Sequence, residues 1–256
     1  MKVVILAGGL GTRISEESHL RPKPMIEIGG RPMLWHIMKI YSAYGYNDFI
    51  VLAGYKQEVI KEFFSNYYTY NSDVTFDLSN NSMQVHSSYT DPWKVTVVDT
   101  GFSTMTGGRV RRIEKYVQGE TFFLTYGDAV ADIDINALLK YHREQGKTAT
   151  ITAVNIAQMK GVLNLSGDGL VTSFREKEDK DAMPVNGGFM VMEPEIFRYL
   201  KDDTTVFEKE PMTALAAEGQ LAAYQHQGFW QCMDTQREMR KLEELWDSGK
   251  APWKIW

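Results

Sequence analysis

Between residues 6 and 24 the chain reads LAGGLGTRISEESHLRPKP. Gly8, Gly9 and Gly11 strip side chains from a loop placed directly after an apolar run, so backbone N–H groups can converge there on phosphate oxygens. Arg13 adds a planar fork suited to phosphate. Lys23 adds a point charge on a backbone restricted by Pro22 and Pro24. Two familiar phosphate loops do not fit. The run Gly9-Leu10-Gly11-Thr12-Arg13-Ile14 lacks the third glycine of a dinucleotide fingerprint, which disfavours an NAD-dependent oxidoreductase. A P-loop needs Lys-Ser/Thr after its last glycine, and none follows. A tight strand-to-helix turn with two solvated cations is the plain alternative. The glycines, Arg13 and Lys23 together favour an anion site.

Two acids complete a possible phosphate chemistry. Asp128 ends the apolar run TFFLTYGD, and Asp234 lies in WQCMDT. Open α/β sheets gather ligands at strand carboxyl ends, and Mg²⁺ favours one or two carboxylates plus phosphate oxygens. Either acid could instead cap a helix or turn, and Asp132 and Asp134 are expected to be cap or surface residues. The segment TGFSTMTGGR, residues 100–109, combines small residues with Arg109. Gly107 and Gly108 there could open the backbone to a ligand edge, or simply precede a helix.

These residues need a scaffold, and periodicity supplies one. Val3 to Ala7 is a continuous apolar run, the mark of a strand buried on both faces. Pro32 stands where a helix begins, and Met33, Leu34, Ile37, Met38 and Tyr41 follow at helical spacing. DFIVLAG and KQEVIKEFFSNYY repeat the strand–helix order. This β-α-β-α pattern predicts an α/β doubly wound sheet with helices on both faces. Residues 72–99 alternate and are broken by polar turns, so an antiparallel β insertion at the sheet edge is expected. Further strands are expected within residues 148–192, and a helix from Thr235 to about Ser248. No repeat or linker divides residues 1–256, which read as a single domain.

Composition sets the bounds. The 256 residues carry a net charge of -5, so no global basic field draws in nucleic acid. Cys232 is the single cysteine, so no internal disulfide can form, and the five histidines show no zinc spacing. The N-terminal apolar run ends at Gly8, too short for a signal or a membrane span. A soluble cytoplasmic protein is expected. The aromatic FFSNYYTY stretch and the β insertion could cover a homo-oligomer contact, or equally pack on their own core.

LAGGLGTR followed by RPKPMIEIGGRPMLWHIM resembles the signature of the sugar-phosphate nucleotidylyltransferases. LWHIMKIYSAYG, TMTGGRVRR, TYGDAVADIDI, NGGFMV, FWQCMDT and GKAPWK resemble its glucose-1-phosphate cytidylyltransferase branch, over nearly the whole chain. The resemblance implies a Rossmann-like, mixed but mostly parallel sheet flanked by helices. It implies transfer of CMP from CTP to a small phosphorylated acceptor, with release of pyrophosphate. Nucleotide contacts are then expected along Leu6, Ala7, Gly8, Gly9, Gly11, Thr12, Arg13, Lys23, Thr104, Gly107, Gly108, Arg109, Gly127 and Asp128. Arg13 and Lys23 become the catalytic cations, and Asp128 and Asp234 the Mg²⁺ ligands. The attacking phosphate oxygen is already deprotonated near neutral pH. Catalysis then needs positioning and charge neutralisation, without a general base or a covalent intermediate. Cys232 reads as a packed small residue.

The acceptor contacts implied are Ala129, Lys160, Gly161, Glu176, Lys177 and Asn186. Here the chain departs from the branch pattern. A GRFGAL-like segment becomes AQMKGVLNL with Lys160, Glu-Lys-Pro becomes Glu176-Lys177-Glu178, and Ala129 and Phe102 replace a glycine and an aspartate. A misplaced group in a fitted pocket costs about 1–3 kcal/mol, so these changes bear on acceptor choice. They favour a non-sugar acceptor, and the resemblance supplies one: some relatives in capsule-modification pathways cytidylylate L-glutamine phosphate on the way to a phosphoramidate group, and Lys160 would pair its carboxylate. Glucose 1-phosphate is the alternative, with harmless drift at these positions. An alternative of another class is a nucleotide sensor without turnover, disfavoured because a pure binder would not need both acids.

Overall fold

The computed structural model describes residues 1–11, 20–117, 119–156, 162–165, 170–175 and 183–256. The order is β1 (Lys2–Ala7), β2 (Glu27–Ile28), β3 (Arg31–Pro32), α1 (Met33–Ala43), β4 (Asp48–Ala53), α2 (Gln57–Tyr70), β5 (Ser72–Asp77), β6 (Ser82–Ser88) and β7 (Lys94–Asp99). Two short helices follow, α3 (Thr106–Arg111) and α4 (Glu114–Val117), then β8 (Phe122–Tyr126), β9 (Ala129–Ala131) and α5 (Ile135–Gln145). The chain continues through β10 (Ala149–Ile156), β11 (Val162–Leu165), β12 (Val171–Arg175) and β13 (Met183–Met192). It closes with α6 (Glu210–Ala217), β14 (Leu221–His226), β15 (Trp230–Cys232) and α7 (Gln236–Asp247). Among the described residues no helix is long and apolar enough to cross a membrane.

Seven strands form the central sheet, in the order β14-β10-β13-β8-β1-β4-β7. β1 pairs in parallel with β4 and β8, β4 with β7, and β10 with β14; β13 runs antiparallel to both its neighbours. The fold is therefore a mixed, mostly parallel α/β sheet of the Rossmann-like kind. The apolar run Val3 to Ala7 within β1 is explained by its two faces. Val3, Ile5 and Ala7 enter a core shared with α1, while Val4 and Leu6 enter a second core with Val110, Ile113 and Phe207. Pro32 directly precedes α1, whose first turn needs no amide from it.

One expectation is corrected. β5 and β6 do form a separate antiparallel pair, but β7 is the parallel edge strand of the main sheet, in register with β4 from Asp48↔Lys94 to Ala53↔Asp99. The insertion covers residues 72–88 and stops short of 99. Alternation in KVTVVD reports a half-buried strand, and an edge strand alternates whether its neighbour is parallel or antiparallel.

The order of strands creates a switch point. From β1 the chain moves to β4 and β7 on one side, and later returns to β8 on the other. The loop after β1 and the loop after β8 therefore straddle the crevice where open α/β sheets bind ligands.

Candidate active site

Three segments far apart in sequence meet at that crevice. Lys23 opens a 3-10 turn, Lys23–Met25, closed by the Met25 amide donating to Pro22 O at 2.8 Å. Its ammonium lies 2.6 Å from Asp128 Oδ2 and 2.6 Å from Asp234 Oδ1. Gly127 makes the approach possible. A Cβ there would stand 2.7 Å from Leu6 O and 2.7 Å from Pro24 Cγ, forcing the lysine turn away from β1 and β8. Burial lowers the affinity of Lys23 for its proton, but the two carboxylates outweigh it, Asp128 foremost, and leave its pKa raised.

Asp234 reaches the crevice through a second sheet. β9 and β15 pair antiparallel with Ala129 opposite Cys232, and the Met233 amide donates to Asp128 O at 2.8 Å. Thr235, one residue on, is the N-cap of α7 in a full capping box with Glu238. The helix cap that the sequence allowed Asp234 thus belongs to Thr235. Asp128 leads into β9 rather than a helix, while Asp134 does cap α5 by accepting from the Ala137 amide at 2.9 Å.

The acid pair suits a divalent cation. Both oxygens lie 2.6 Å from one Nζ, so they are within twice that distance of each other. Among the described residues no group of three or more His, Cys, Asp or Glu could hold a metal. Two carboxylates completed by phosphate oxygens and water match the preference of Mg²⁺ over an all-protein cage.

The glycine loop has more than one role. Gly9 is exposed with open space where a Cβ would stand, and Gly11 has φ +64°. Gly8 instead gives way to Arg109: a Cβ on Gly8 would fall 2.2 Å from Arg109 Nη1, and one on Gly54 at 2.3 Å. Arg109 is buried, and Nη1 donates to Thr100 Oγ1 and Gly101 O at 2.7 Å each, while Nη2 donates to Phe102 O at 3.3 Å. It clamps the carboxyl ends of β4 and β7 beside β1 and brings positive charge under the loop. Burial, then the charge of Arg112, holds its pKa below the usual guanidinium value. Leu6 and Ala7 are the buried end of β1.

Gly107 and Gly108 require a correction. Their amides donate to Thr205 O at 2.9 and 3.2 Å. A Cβ on either would stand under 3 Å from backbone of residues 203–205. Their smallness admits that backbone, and their amides are not free to read a base. Thr104 is buried against Gly101 and Gly108. Of the residues expected to meet the acceptor, Ala129 is buried in β9, and Asn186 Oδ1 accepts from the Gly188 amide at 3.0 Å. Thr12, Arg13, Lys160, Gly161, Glu176, Lys177 and Glu178 lie outside the described residues.

Two features go beyond the sequence expectations. Tyr126, next to Gly127, donates to Glu208 Oε1 at 2.7 Å, and Thr106 donates to Glu208 Oε2 at 2.7 Å, which ties the end of β8 to the start of α3. No local signal marks Glu208. The Thr-x-x-Glu spacing of Thr235 and Glu238 was a readable capping box. Cys232, expected as a packed small residue, donates its thiol to Glu238 Oε1 at 3.5 Å; burial first, then Glu238 and Asp234, push its pKa up to about 12, which keeps the thiol protonated near neutral pH.

The chain belongs to the nucleotidyl transferase family, whose model matches residues 2–237. Within that family it falls in the glucose-1-phosphate cytidylyltransferase branch. It is 53% identical to the glucose-1-phosphate cytidylyltransferase of Salmonella typhi, with 100% of both chains covered. It is 44% identical to a probable glucose-1-phosphate cytidylyltransferase of Bacillus subtilis, again over 100% of both. The fold is shared with the crystal structure of HddC from Yersinia pseudotuberculosis, with TM-score 0.70 at 22% identity, covering 96% of this chain and 99% of that one.

Proposed function

We propose that this chain transfers CMP from CTP to glucose 1-phosphate, forming CDP-glucose and pyrophosphate. The observation that carries it is the convergence of Lys23, Asp128 and Asp234 at the switch point of a chain 53% identical, end to end, to a glucose-1-phosphate cytidylyltransferase. The full-length likeness favours the sugar phosphate over the amino-acid phosphate that the departures in sequence favoured. The described departures weigh less than their number. Phe102 follows β7, three strand positions from β8, or about 14 Å along the sheet, and its ring meets Tyr55 on the Arg109 side. Ala129 is 5% exposed, so its added methyl is largely absorbed in the β9–β15 pair.

In this reading a phosphate oxygen of the acceptor attacks the α-phosphorus of CTP, and the bond to the β-phosphate oxygen breaks. Mg²⁺, held by Asp128 and Asp234, supplies neutralising charge to the phosphates when bound. Lys23 swings from its two carboxylates to hold the α-phosphate or the acceptor. The loop after β1 presents its backbone to the triphosphate over the charge of Arg109, and Arg13 stabilises the departing pyrophosphate. The resemblance makes Asn186 and Glu176 the expected contacts of the sugar hydroxyls, and Lys177 that of the acceptor phosphate. None of these steps needs Cys232.

The test is pyrophosphate release with CTP and Mg²⁺, comparing glucose 1-phosphate with L-glutamine phosphate at matched concentrations. Turnover of glucose 1-phosphate is expected. Turnover with only the amino-acid phosphate would overturn the acceptor, and CTP binding without release of pyrophosphate with either would leave a sensor.

A further inference from the structure

We propose that Glu238 is a positioning residue for the Asp234 carboxylate, fixing the peptide that aims it at Lys23 and at the cation. The inference rests on the reading of Asp128 and Asp234 as the cation-holding pair.

A capping box alone needs only two bonds. The Thr235 hydroxyl accepts from the Glu238 amide, here at 3.3 Å, and the glutamate accepts from the Thr235 amide, here at 2.8 Å. Glu238 does more than that. The same oxygen, Oε2, also accepts from the Asp234 amide at 2.8 Å, one residue before the cap. Its other oxygen faces the Cys232 thiol. The opposite side of the segment is held by β9, through the Cys232↔Ala129 pair and the Met233 amide on Asp128 O. Buried Met233 anchors it from below. Successive amides from Met233 to Thr235 are thus all engaged, those of Asp234 and Thr235 by one carboxylate oxygen. With the backbone dihedrals so restricted, the Asp234 side chain is aimed at the Lys23 ammonium.

This arrangement sets a third carboxylate beside two others. Mutual repulsion disfavours that unless donors absorb the charge, and the Asp234 and Thr235 amides with the Thr235 hydroxyl do so. A helix cap has no need of the Asp234 contact. A metal ligand does, because groups that orient a ligand typically govern affinity by about 10–100-fold.

The experiment is Mn²⁺ titration followed by electron paramagnetic resonance, in the presence of CTP, on the full chain. Melting temperatures and kcat are measured in parallel. Glu238→Asp keeps the charge but shortens the reach, and is expected to weaken Mn²⁺ binding about 10-fold. Glu238→Gln keeps the reach and an acceptor oxygen, and is expected to stay within about 3-fold of wild type. Thr235→Ala breaks the cap and leaves the Asp234 contact, so it lowers the melting temperature with Mn²⁺ affinity within about 3-fold. Unchanged affinity in Glu238→Asp, or an equal loss in Thr235→Ala, would reduce Glu238 to a helix cap. A loss in Glu238→Gln with none in Glu238→Asp would make its role electrostatic and overturn the positioning. A wild type that binds no Mn²⁺ with CTP would remove the cation pair itself, and the proposal with it.

Discussion

Lys23 and His36 are both buried titratable groups tied to the C-terminal part of the chain, and they have opposite protonation. Lys23 meets Asp234 at the start of α7; His36 meets Trp246 and Trp253 at and beyond its end. At Lys23 two carboxylates offset the cost of burial, and the cation is retained. At His36 no carboxylate among the described residues does so. Its Nε2–H donates to Ile28 O at 2.8 Å, its Nδ1 accepts from Trp253 Nε1–H at 3.3 Å, and Trp35 and Trp246 close around the ring. Burial pulls its pKa down to about 4, and the charges of Arg31 and Lys254 act in the same direction against two backbone hydrogen bonds. The paired charge stays a charge, ion-paired at the crevice, whereas the neutral ring is packing. Burial alone does not separate the two; the partners do.

The largest effect is expected at the charged cluster. Lys23→Ala should lower kcat/KM by about 10²–10³-fold, as loss of one fixed charge at a reacting phosphate does. It also removes the ammonium that Asp128 and Asp234 share. Mg²⁺ should then raise the melting temperature of the variant more than that of wild type. An equal rise would separate the acids from the metal.

Next comes the neutral cluster. Trp253 is 1% exposed, and Trp253→Ala should cost about 3–5 kcal/mol in denaturant unfolding. The enzyme that remains folded at low temperature should keep its kcat, because no catalytic group touches that ring. A fall in kcat would break the contrast between the two regions.

The pH dependence of unfolding sharpens it. His36 binds its proton more weakly folded than unfolded, so the stability it confers is full above about 6.5 and is lost as pH falls toward about 4. The loss should approach about 3 kcal/mol. Lys23 is shifted the other way. Its contribution is full below 10.5 and is lost only as pH rises through its higher folded value. His36→Gln should flatten the acid limb and leave the alkaline limb intact, and Lys23→Ala the reverse.

The smallest effect is expected at Cys232. Cys232→Ala should keep kcat within about 2-fold, and the wild-type thiol should alkylate slowly at pH 8. Fast alkylation with loss of activity would bring the thiol into the chemistry.

Much of the frame was legible in sequence because it is periodic. The unbroken apolar runs of β1 and β4 announced strands buried on two faces, and Pro32 with the spacing from Met33 to Tyr41 announced α1. Asp128 stood out as an acid closing an apolar strand. Gly8, by contrast, was grouped with Gly9 and Gly11 as a phosphate-loop glycine, yet its missing Cβ makes room for Arg109, 101 residues later. Gly107 and Gly108 were read as openings toward a base, and they admit the backbone of residues 203–205. A glycine declares that something comes close; what comes close is a non-local fact.

By itself, then, the sequence determined the elements, the positions where charge and small size gather, and a likeness to the branch specific enough to name the reaction class. Only the tertiary structure decided which groups meet. It set Lys23 between acids 105 and 211 residues away, turned β7 parallel, and placed Glu238 behind Asp234. The physical reason is range. Propensity and hydrophobic period act over a few residues of chain, while ion pairing and close approach act over a few ångströms of space, and only the folded sheet brings those two distances together.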